Sequence, residues 1–162
     1  TIEDDRYKIE MMSLIDVLGQ SVGKTYTPGC QKTFGGQEYA GCKVDIESIT
    51  VTGEITHVTS GSVFRDSART EAADYFGAGF IRWVTGNNVG LKPQEIKSYA
   101  ANGTITTFEP AYYPVQVGDE YELTPGCRKR LEDCRDKWNN VLNFGGFPSV
   151  PTSATYTKVG TK

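Results

Sequence analysis

Four cysteines and one histidine are the residues of this 162-residue chain best suited to carry chemistry. The cysteines form two pairs along the sequence, Cys30 with Cys42 and Cys127 with Cys134. Four thiolates without an imidazole make a soft, all-sulfur donor set, which suits zinc or an iron–sulfur cluster. A single histidine excludes, within this chain, any metal centre that is built on several imidazoles.

The residues around the cysteines favour ligands over unrelated buried thiols. Cys30, Cys42 and Cys127 each follow a glycine, which places these thiols on tight backbone rather than on core faces. Five of the 17 basic residues lie close to the second pair, namely Arg128, Lys129, Arg130, Arg135 and Lys137. Their charge is expected to lower the thiol pKa values and to offset a negative metal–thiolate centre, unless the run is simply a solvated helix face. Neither pair has the short spacing of a zinc knuckle or a ferredoxin, so spacing leaves the metal open.

Two helices and a glycine-rich loop are predicted to position the thiols. Apolar residues at helical spacing predict an amphipathic helix over 5–18, and the loop that follows carries Cys30 and Cys42. Helical spacing returns in the last section, with one apolar stripe made of Leu131, Cys134, Trp138, Val141 and Leu142, and ends at Asn143. Within it, the segment 128–136 is predicted to be helical. Seven residues span two helical turns, about 10 Å, so Cys127 and Cys134 are too far apart for a disulfide but share a face. That geometry suits a metal cluster several Å across, bound by both cysteines, better than a single ion.

The middle of the chain alternates between apolar and polar residues and is rich in β-branched side chains. Strands are predicted from Ile49 onward and over 62–64, 79–85, 95–100, 104–108 and 120–123, with glycine- and asparagine-containing turns between them. We therefore expect a mainly β fold with flanking helices (α+β), an antiparallel barrel or sandwich. We expect one domain over 1–162, with a flexible polar tail at 152–162.

Charge and hydropathy exclude several other classes. A net charge of −3 gives no basic face for coating nucleic acid, and no apolar run approaches the ~20 residues of a membrane span. A hydrolase with a cysteine nucleophile and His57 as its base is the enzymatic alternative. His57 lies in an alternating strand segment and no cysteine has a nucleophile motif around it, so this alternative carries little weight.

Three blocks of the sequence, at 30–45, 74–99 and 125–151, resemble a family of phage tail proteins. PGCRKRLEDCRDKWNNVLNFGGFPSVP (125–151) resembles the family's C-terminal signature, and CQKTFGGQEYAGCKVD (30–45) resembles its first cysteine pair. DYFGAGFIRWVTGNNVGLKPQEIKSY (74–99) resembles its middle block. The resemblance extends from Tyr26 to Pro151 in the same order. The family includes the hub proteins of gene transfer agents and siphophage tails, with a more distant relation to the tail tip protein of phage lambda.

The resemblance implies a structural, non-enzymatic module of a longer tail hub protein. It would contribute to tail assembly and host interaction, contacting distal tail proteins, the tape measure, the central fibre and copies of itself. Its expected location is the virion tail, after synthesis in the host cytoplasm. The resemblance also implies a [4Fe–4S] cluster on Cys30, Cys42, Cys127 and Cys134, and we expect Arg128, Lys129, Arg130 and Arg135 around these ligands. A four-cysteine zinc site is the alternative. Two departures are the long span from Cys42 to Cys127 and Gly145, a position that is often basic in the family.

Overall fold

A computed structural model of the protein describes residues 26–150. The predicted helix over 5–18 and the predicted flexible tail lie outside these residues. Within the described part, a short helix α1 (Ile46–Ile49) precedes seven strands, and two short helical turns follow them. The strands are β1 (Val51–Glu54), β2 (His57–Ser60), β3 (Val63–Arg65), β4 (Phe80–Trp83), β5 (Gln94–Tyr99), β6 (Thr104–Thr107) and β7 (Glu120–Thr124). The turns are a π-helical turn (Asp133–Lys137) and a 3₁₀ turn (Val141–Asn143).

The strands form one antiparallel sheet in the order β1-β7-β4-β5-β6-β3-β2. Its two edge strands, β1 and β2, are consecutive in the chain and are separated only by Ile55 and Thr56. The N–H of Ile55 donates to the Asp119 carbonyl at 3.0 Å, and the N–H of Thr56 donates to the Arg65 carbonyl at 2.9 Å. The chain thus passes directly from one edge to the other, so the sheet must curl. The prediction of a mainly β, antiparallel fold is confirmed, and its form is a half-barrel.

Alternation along the strands builds the interior of the half-barrel. In β4, Ile81 and Trp83 are buried whereas Phe80 and Arg82 are exposed. Fully burying an aliphatic or aromatic side chain contributes roughly 1.5–3 kcal/mol, so this core supplies a large favourable term to the stability of the sheet. The buried core comprises Ile55, Phe64, Phe76, Ile81, Trp83, Ile96, Tyr99, Ile105, Val115, Tyr121 and Leu123.

A buried polar network ties the segment after β3 to the sheet. Asp66 is only 2% exposed and accepts a hydrogen bond of 2.5 Å from the Tyr121 hydroxyl. Arg69 lies 3.4 Å from the Asp66 carboxylate and donates to the Thr52 carbonyl at 2.7 Å. Burial, followed by the bond to Asp66, raises the pKa of Tyr121 well above its usual value. The network therefore links β1 and β7 through hydrogen bonds made inside the protein.

Two predicted boundaries are wrong for local reasons. Ile49 belongs to α1 instead of a strand, because the Asp45 side chain caps the helix by accepting from the N–H groups of Glu47 and Ser48. The helix predicted over 128–136 does not begin at 128, because Lys129 has a left-handed φ of 64°. Helical backbone starts at residue 131 and turns into the π-helical turn, which a second left-handed residue, Asn139, follows.

The predicted apolar stripe is also wrong at its C-terminal end. Cys134 is buried, but Val141 is 45% exposed and Leu142 is fully exposed. Cys127 lies on the loop after β7, so Cys127 and Cys134 do not share one helix face.

Candidate functional site: a four-cysteine cluster of loops

The fold gathers the four cysteines from three segments. Cys30 and Cys42 lie in the loop before α1, Cys127 follows β7, and Cys134 lies in the π-helical turn. All four are free, and Cys42 and Cys134 are buried. The three other thiols contribute to a raised pKa of Cys134, and Cys42 contributes to a raised pKa of Cys127. The thiols are therefore within electrostatic range of one another. Over residues 26–150, no group of three or more His, Cys, Asp or Glu side chains is placed to hold a metal ion.

The Cys30 loop is held from both sides by the C-terminal segment. On one side, the N–H of Cys30 donates to the Lys129 carbonyl at 2.7 Å, and the Lys129 ammonium donates to the Lys32 carbonyl at 2.6 Å. On the other side, the N–H of Phe147 donates to the Thr27 carbonyl at 2.8 Å. A Cβ on Gly146 would lie 2.6 Å from the Pro28 carbonyl oxygen, so this close approach requires glycine.

Asn140 joins Cys42 to Cys134. Its side-chain Nδ2 donates to the Cys42 carbonyl at 2.5 Å and lies 3.7 Å from the Cys42 sulfur. Its backbone N–H donates to the Cys134 carbonyl at 2.8 Å, and its own carbonyl accepts from the Cys134 thiol at 3.1 Å. One residue thus contacts a cysteine from each pair.

Within the described part of the chain, three of the four sulfurs accept hydrogen bonds from nitrogen. The N–H of Gly145 donates to Cys30 Sγ at 3.3 Å, and the N–H of Lys129 donates to Cys127 Sγ at 3.4 Å. The third is the bond from Asn140 to Cys42. Such bonds stabilise negative charge on sulfur, and they orient and tune thiolates that bind metals.

Burial controls the ionisation of two of the thiols. Burial raises the pKa of Cys127, against the opposing effects of the Lys129 N–H and its ammonium. Burial and the neighbouring thiols raise the pKa of Cys134, and Lys32 only partly opposes this rise. Lys129 thus lowers the pKa of Cys127 as expected, but burial outweighs this effect, and the net pKa shift of both thiols is upward. Without a metal, both groups stay protonated at neutral pH, and a metal must displace their protons to bind.

Comparison with known proteins gives this chain a family. Residues 74–154, half of the chain, match the family described as Phage conserved hypothetical protein BR0599. The chain belongs to this phage protein family. The matched range contains Cys127, Cys134, Asn140 and Gly145 but not the first cysteine pair.

A solved structure resembles this BR0599-family protein over most of its length. The match is to a chain of a structure titled "Virion of native gene transfer agent (GTA) particle", at 27% identity and a TM-score of 0.67. It covers 86% of this chain and 49% of that chain, so the present chain spans about half the length of its structural relative. No curated protein matches the sequence. In residues 26–150, no helix is long and apolar enough to cross a membrane.

The basic residues near the second cysteine pair of the BR0599-family protein have different partners. Arg128 binds Asp74 through two hydrogen bonds of 2.8 and 3.0 Å, and Arg135 binds Asp136 at 2.7 Å. The Arg130 guanidinium lies 3.5 Å from Asp133. Lys129, by contrast, contacts the cysteine loops directly. Lys32, Asn140 and Gly145 also contact the cysteine loops. The spacing of the sequence gave no signal for Lys32, because its contact with Lys129 forms only when the C-terminal segment folds back onto the Cys30 loop.

His57 lies on β2, opposite Arg65 of β3, and is exposed. In the part of the chain that the structure describes, its imidazole has no hydrogen bond or ion pair to any cysteine. The BR0599-family protein thus offers no observation in support of a hydrolase with His57 as its base.

Proposed function

We propose that this BR0599-family chain is a non-enzymatic structural module of a phage or phage-like tail tip hub. In this proposal it binds a [4Fe–4S] cluster through Cys30, Cys42, Cys127 and Cys134. The observation that carries the proposal is that Lys129 and Asn140 each bond to a cysteine of both pairs, which brings four thiols from distant loops together.

The residues present fit a cluster in three respects. The donor set is entirely sulfur, three of the sulfurs accept N–H bonds, and the Lys32 and Lys129 ammonium groups lie close enough to offset negative charge. A tetrahedral zinc site with bonds of about 2.3 Å requires sulfurs only ~3.8 Å apart. A four-iron cluster separates its ligands more widely. The two sites therefore differ in how far apart they hold their sulfurs, and metal analysis decides between them.

Ligation would act as a cross-link between segments that are remote in sequence. When bound, the cluster supplies a rigid junction, and its binding free energy becomes folding free energy for the loops that it joins. The chain's own residues prepare that junction. Lys129 and Gly145 donate N–H bonds to sulfur, and Lys129 also holds the Cys30 loop in place. To become a ligand, Cys134 must release the proton that it shares with the Asn140 carbonyl.

The proposed place of this chain is the tail of a virion. Membership of a phage family and likeness to a chain in a gene transfer agent virion support a location in the virion. We propose contacts with distal tail proteins, the tape measure, the central fibre and further copies of the chain. The half-barrel would be the rigid body that such contacts use, with the cluster fixing the loops beside it.

Metal analysis tests the cofactor. Protein purified without oxygen should be brown and carry stoichiometric iron and acid-labile sulfide. Cys134→Ser should lose the cluster, whereas His57→Ala should keep it, because His57 lies on an exposed strand away from the thiol contacts. Colourless protein with one zinc per chain would establish the zinc alternative. Protein that carries no metal when purified, with all four thiols fully reactive, would refute both the cluster and the zinc site.

Particle analysis tests the location. Mass spectrometry of purified virions should detect the chain, and antibodies against the half-barrel should label the tail tip in electron micrographs. Phage encoding Cys134→Ser should form fewer complete tails. A protein found only in infected-cell lysate, and never in particles, would refute the structural role.

A further inference from the structure

Asn140 is one of two residues that join the cysteine pairs. Its amide contacts Cys42, which is 98 positions away in the sequence, while its backbone makes two hydrogen bonds with Cys134. Among residues 26–150, Lys129 makes a comparable link, between Cys30 and Cys127. The site therefore has two residues that each join one cysteine of one pair to one of the other.

The orientation of the Asn140 amide is fixed from its far side. Asn143 Nδ2 donates to Asn140 Oδ1 at 2.7 Å, and the Asn143 N–H donates to the Asn140 carbonyl at 3.0 Å. Because a donor occupies Oδ1, the amide nitrogen must face Cys42. The 3₁₀ turn (Val141–Asn143) thus serves to hold this amide in one orientation.

We propose that Asn140 is a positioning residue of the four-cysteine site, whose amide sets the place of Cys42 and donates to its sulfur. This inference rests on the proposed function for its metal-bound form. An N–H bond to a sulfur ligand stabilises negative charge there, and loss of such a partner typically weakens metal binding by about 10- to 100-fold. The same bond favours the more negative, reduced state of a cluster, so it raises the reduction potential.

Asn140→Asp tests this role, with Asn139→Asp as its matched control. Both changes add one negative charge at adjacent positions, but only the first replaces a donor to Cys42 with an acceptor. Asn139 is exposed and left-handed, a conformation that aspartate also tolerates. Asn140→Asp should lose its cluster to a competing chelator about 10- to 100-fold more readily than wild type, and its potential should be lower. Asn139→Asp should stay close to wild type in both measurements.

A metal-free measurement separates the two hypotheses. In protein stripped of metal, Cys42 of Asn140→Asp should react with maleimide about tenfold faster, as expected for the loss of one hydrogen bond that holds its loop. A wild-type protein that never binds a cluster would refute the proposed function, and the maleimide rates would still decide the role of Asn140. Equal chelator competition, potentials and maleimide rates in the two aspartate variants would overturn the inference.

Discussion

The carbonyl oxygen of Lys129 accepts a 2.7 Å hydrogen bond from the backbone N–H of Cys30. Lys129 can offer this carbonyl because its backbone is left-handed, with φ at 64°, and its ammonium also reaches the Lys32 carbonyl. Its own N–H meanwhile donates to Cys127 Sγ. A single strained residue therefore connects the loop of Cys30 to the loop of Cys127, and strain of this kind often occurs at functional sites.

Substitutions at Lys129 should separate backbone geometry from charge. Lys129→Gly keeps the left-handed turn and relieves about 1–2 kcal/mol of strain, which should offset most of the lost ammonium bond. Lys129→Val places a branched side chain in a left-handed conformation and should cost about 2 kcal/mol or more. Urea denaturation of the metal-free variants measures both free energies of unfolding. Equal stability of the valine and glycine variants would show that the turn is not required.

Gly146→Ala should open the site where the C-terminal segment crosses the Cys30 loop. The added methyl group would meet the Pro28 carbonyl oxygen at 2.6 Å, and this backbone contact cannot be relieved by rotating a side chain. We expect the 3.3 Å bond from the Gly145 N–H to Cys30 Sγ to be lost, with a lower metal content. A cost of about 1–3 kcal/mol is typical of overpacking.

Gly29→Ala is the control for this change. Its Cβ would lie 3.6 Å from the Lys129 carbonyl oxygen, which is an ordinary contact. Metal analysis and thermal denaturation should leave this variant near wild type. If both alanine variants behaved alike, the crossing would not depend on the close approach at Gly146.

The sequence predicts the sheet better than it predicts the residues around the four cysteines. Strands such as β4 and β7 can be predicted from the alternation of apolar and polar residues. Successive side chains of a strand point to opposite faces of the sheet, so the local sequence indicates which of them are buried. The prediction of a helix from Arg128 is wrong because Lys129 has a left-handed backbone. That conformation goes with contacts to a loop almost a hundred residues earlier, which no local propensity encodes. For the same reason the sequence indicated the cysteines as ligands but gave no role to Lys32. Asn140 lies in the block 125–151, but nothing in the sequence distinguished it from its neighbours. Raised pKa values at Cys127 and Cys134 reflect burial that charge counting overlooks.

Tyr121→Phe should reduce both stability and its dependence on alkaline pH. Removing the hydroxyl leaves the buried Asp66 carboxylate short of one donor, at a cost of about 1–3 kcal/mol. The folded protein holds the Tyr121 proton well above pH 10, whereas the unfolded chain releases it near pH 10. This stabilisation is therefore complete below pH 10 and falls as pH rises further, by up to about 1.4 kcal/mol per pH unit.

Urea denaturation from pH 9 to 11 measures this difference. Wild type should lose stability more steeply above pH 10 than Tyr121→Phe. Tyr39→Phe is the matched control, since Tyr39 is fully exposed and should leave the slope unchanged. Identical slopes in wild type and Tyr121→Phe would mean that the buried hydroxyl does not retain its proton.

Removal of the cluster should loosen the cysteine loops and leave the half-barrel folded. The apolar core consists of residues on and between the strands and includes none of the cysteines, so its burial does not depend on ligation. The loops depend on a few hydrogen bonds, such as those from the N–H groups of Cys30 and Gly145. Local opening requires least free energy where buried apolar contacts are few.

Hydrogen exchange before and after treatment with EDTA and ferricyanide should therefore show faster exchange at the N–H groups of Cys30 and Gly145. The N–H of Ile96, bonded to the Gly79 carbonyl at 2.8 Å, should keep its protection. Equal loss of protection in both regions would show that the cluster supports the whole fold and not only the junction of its loops.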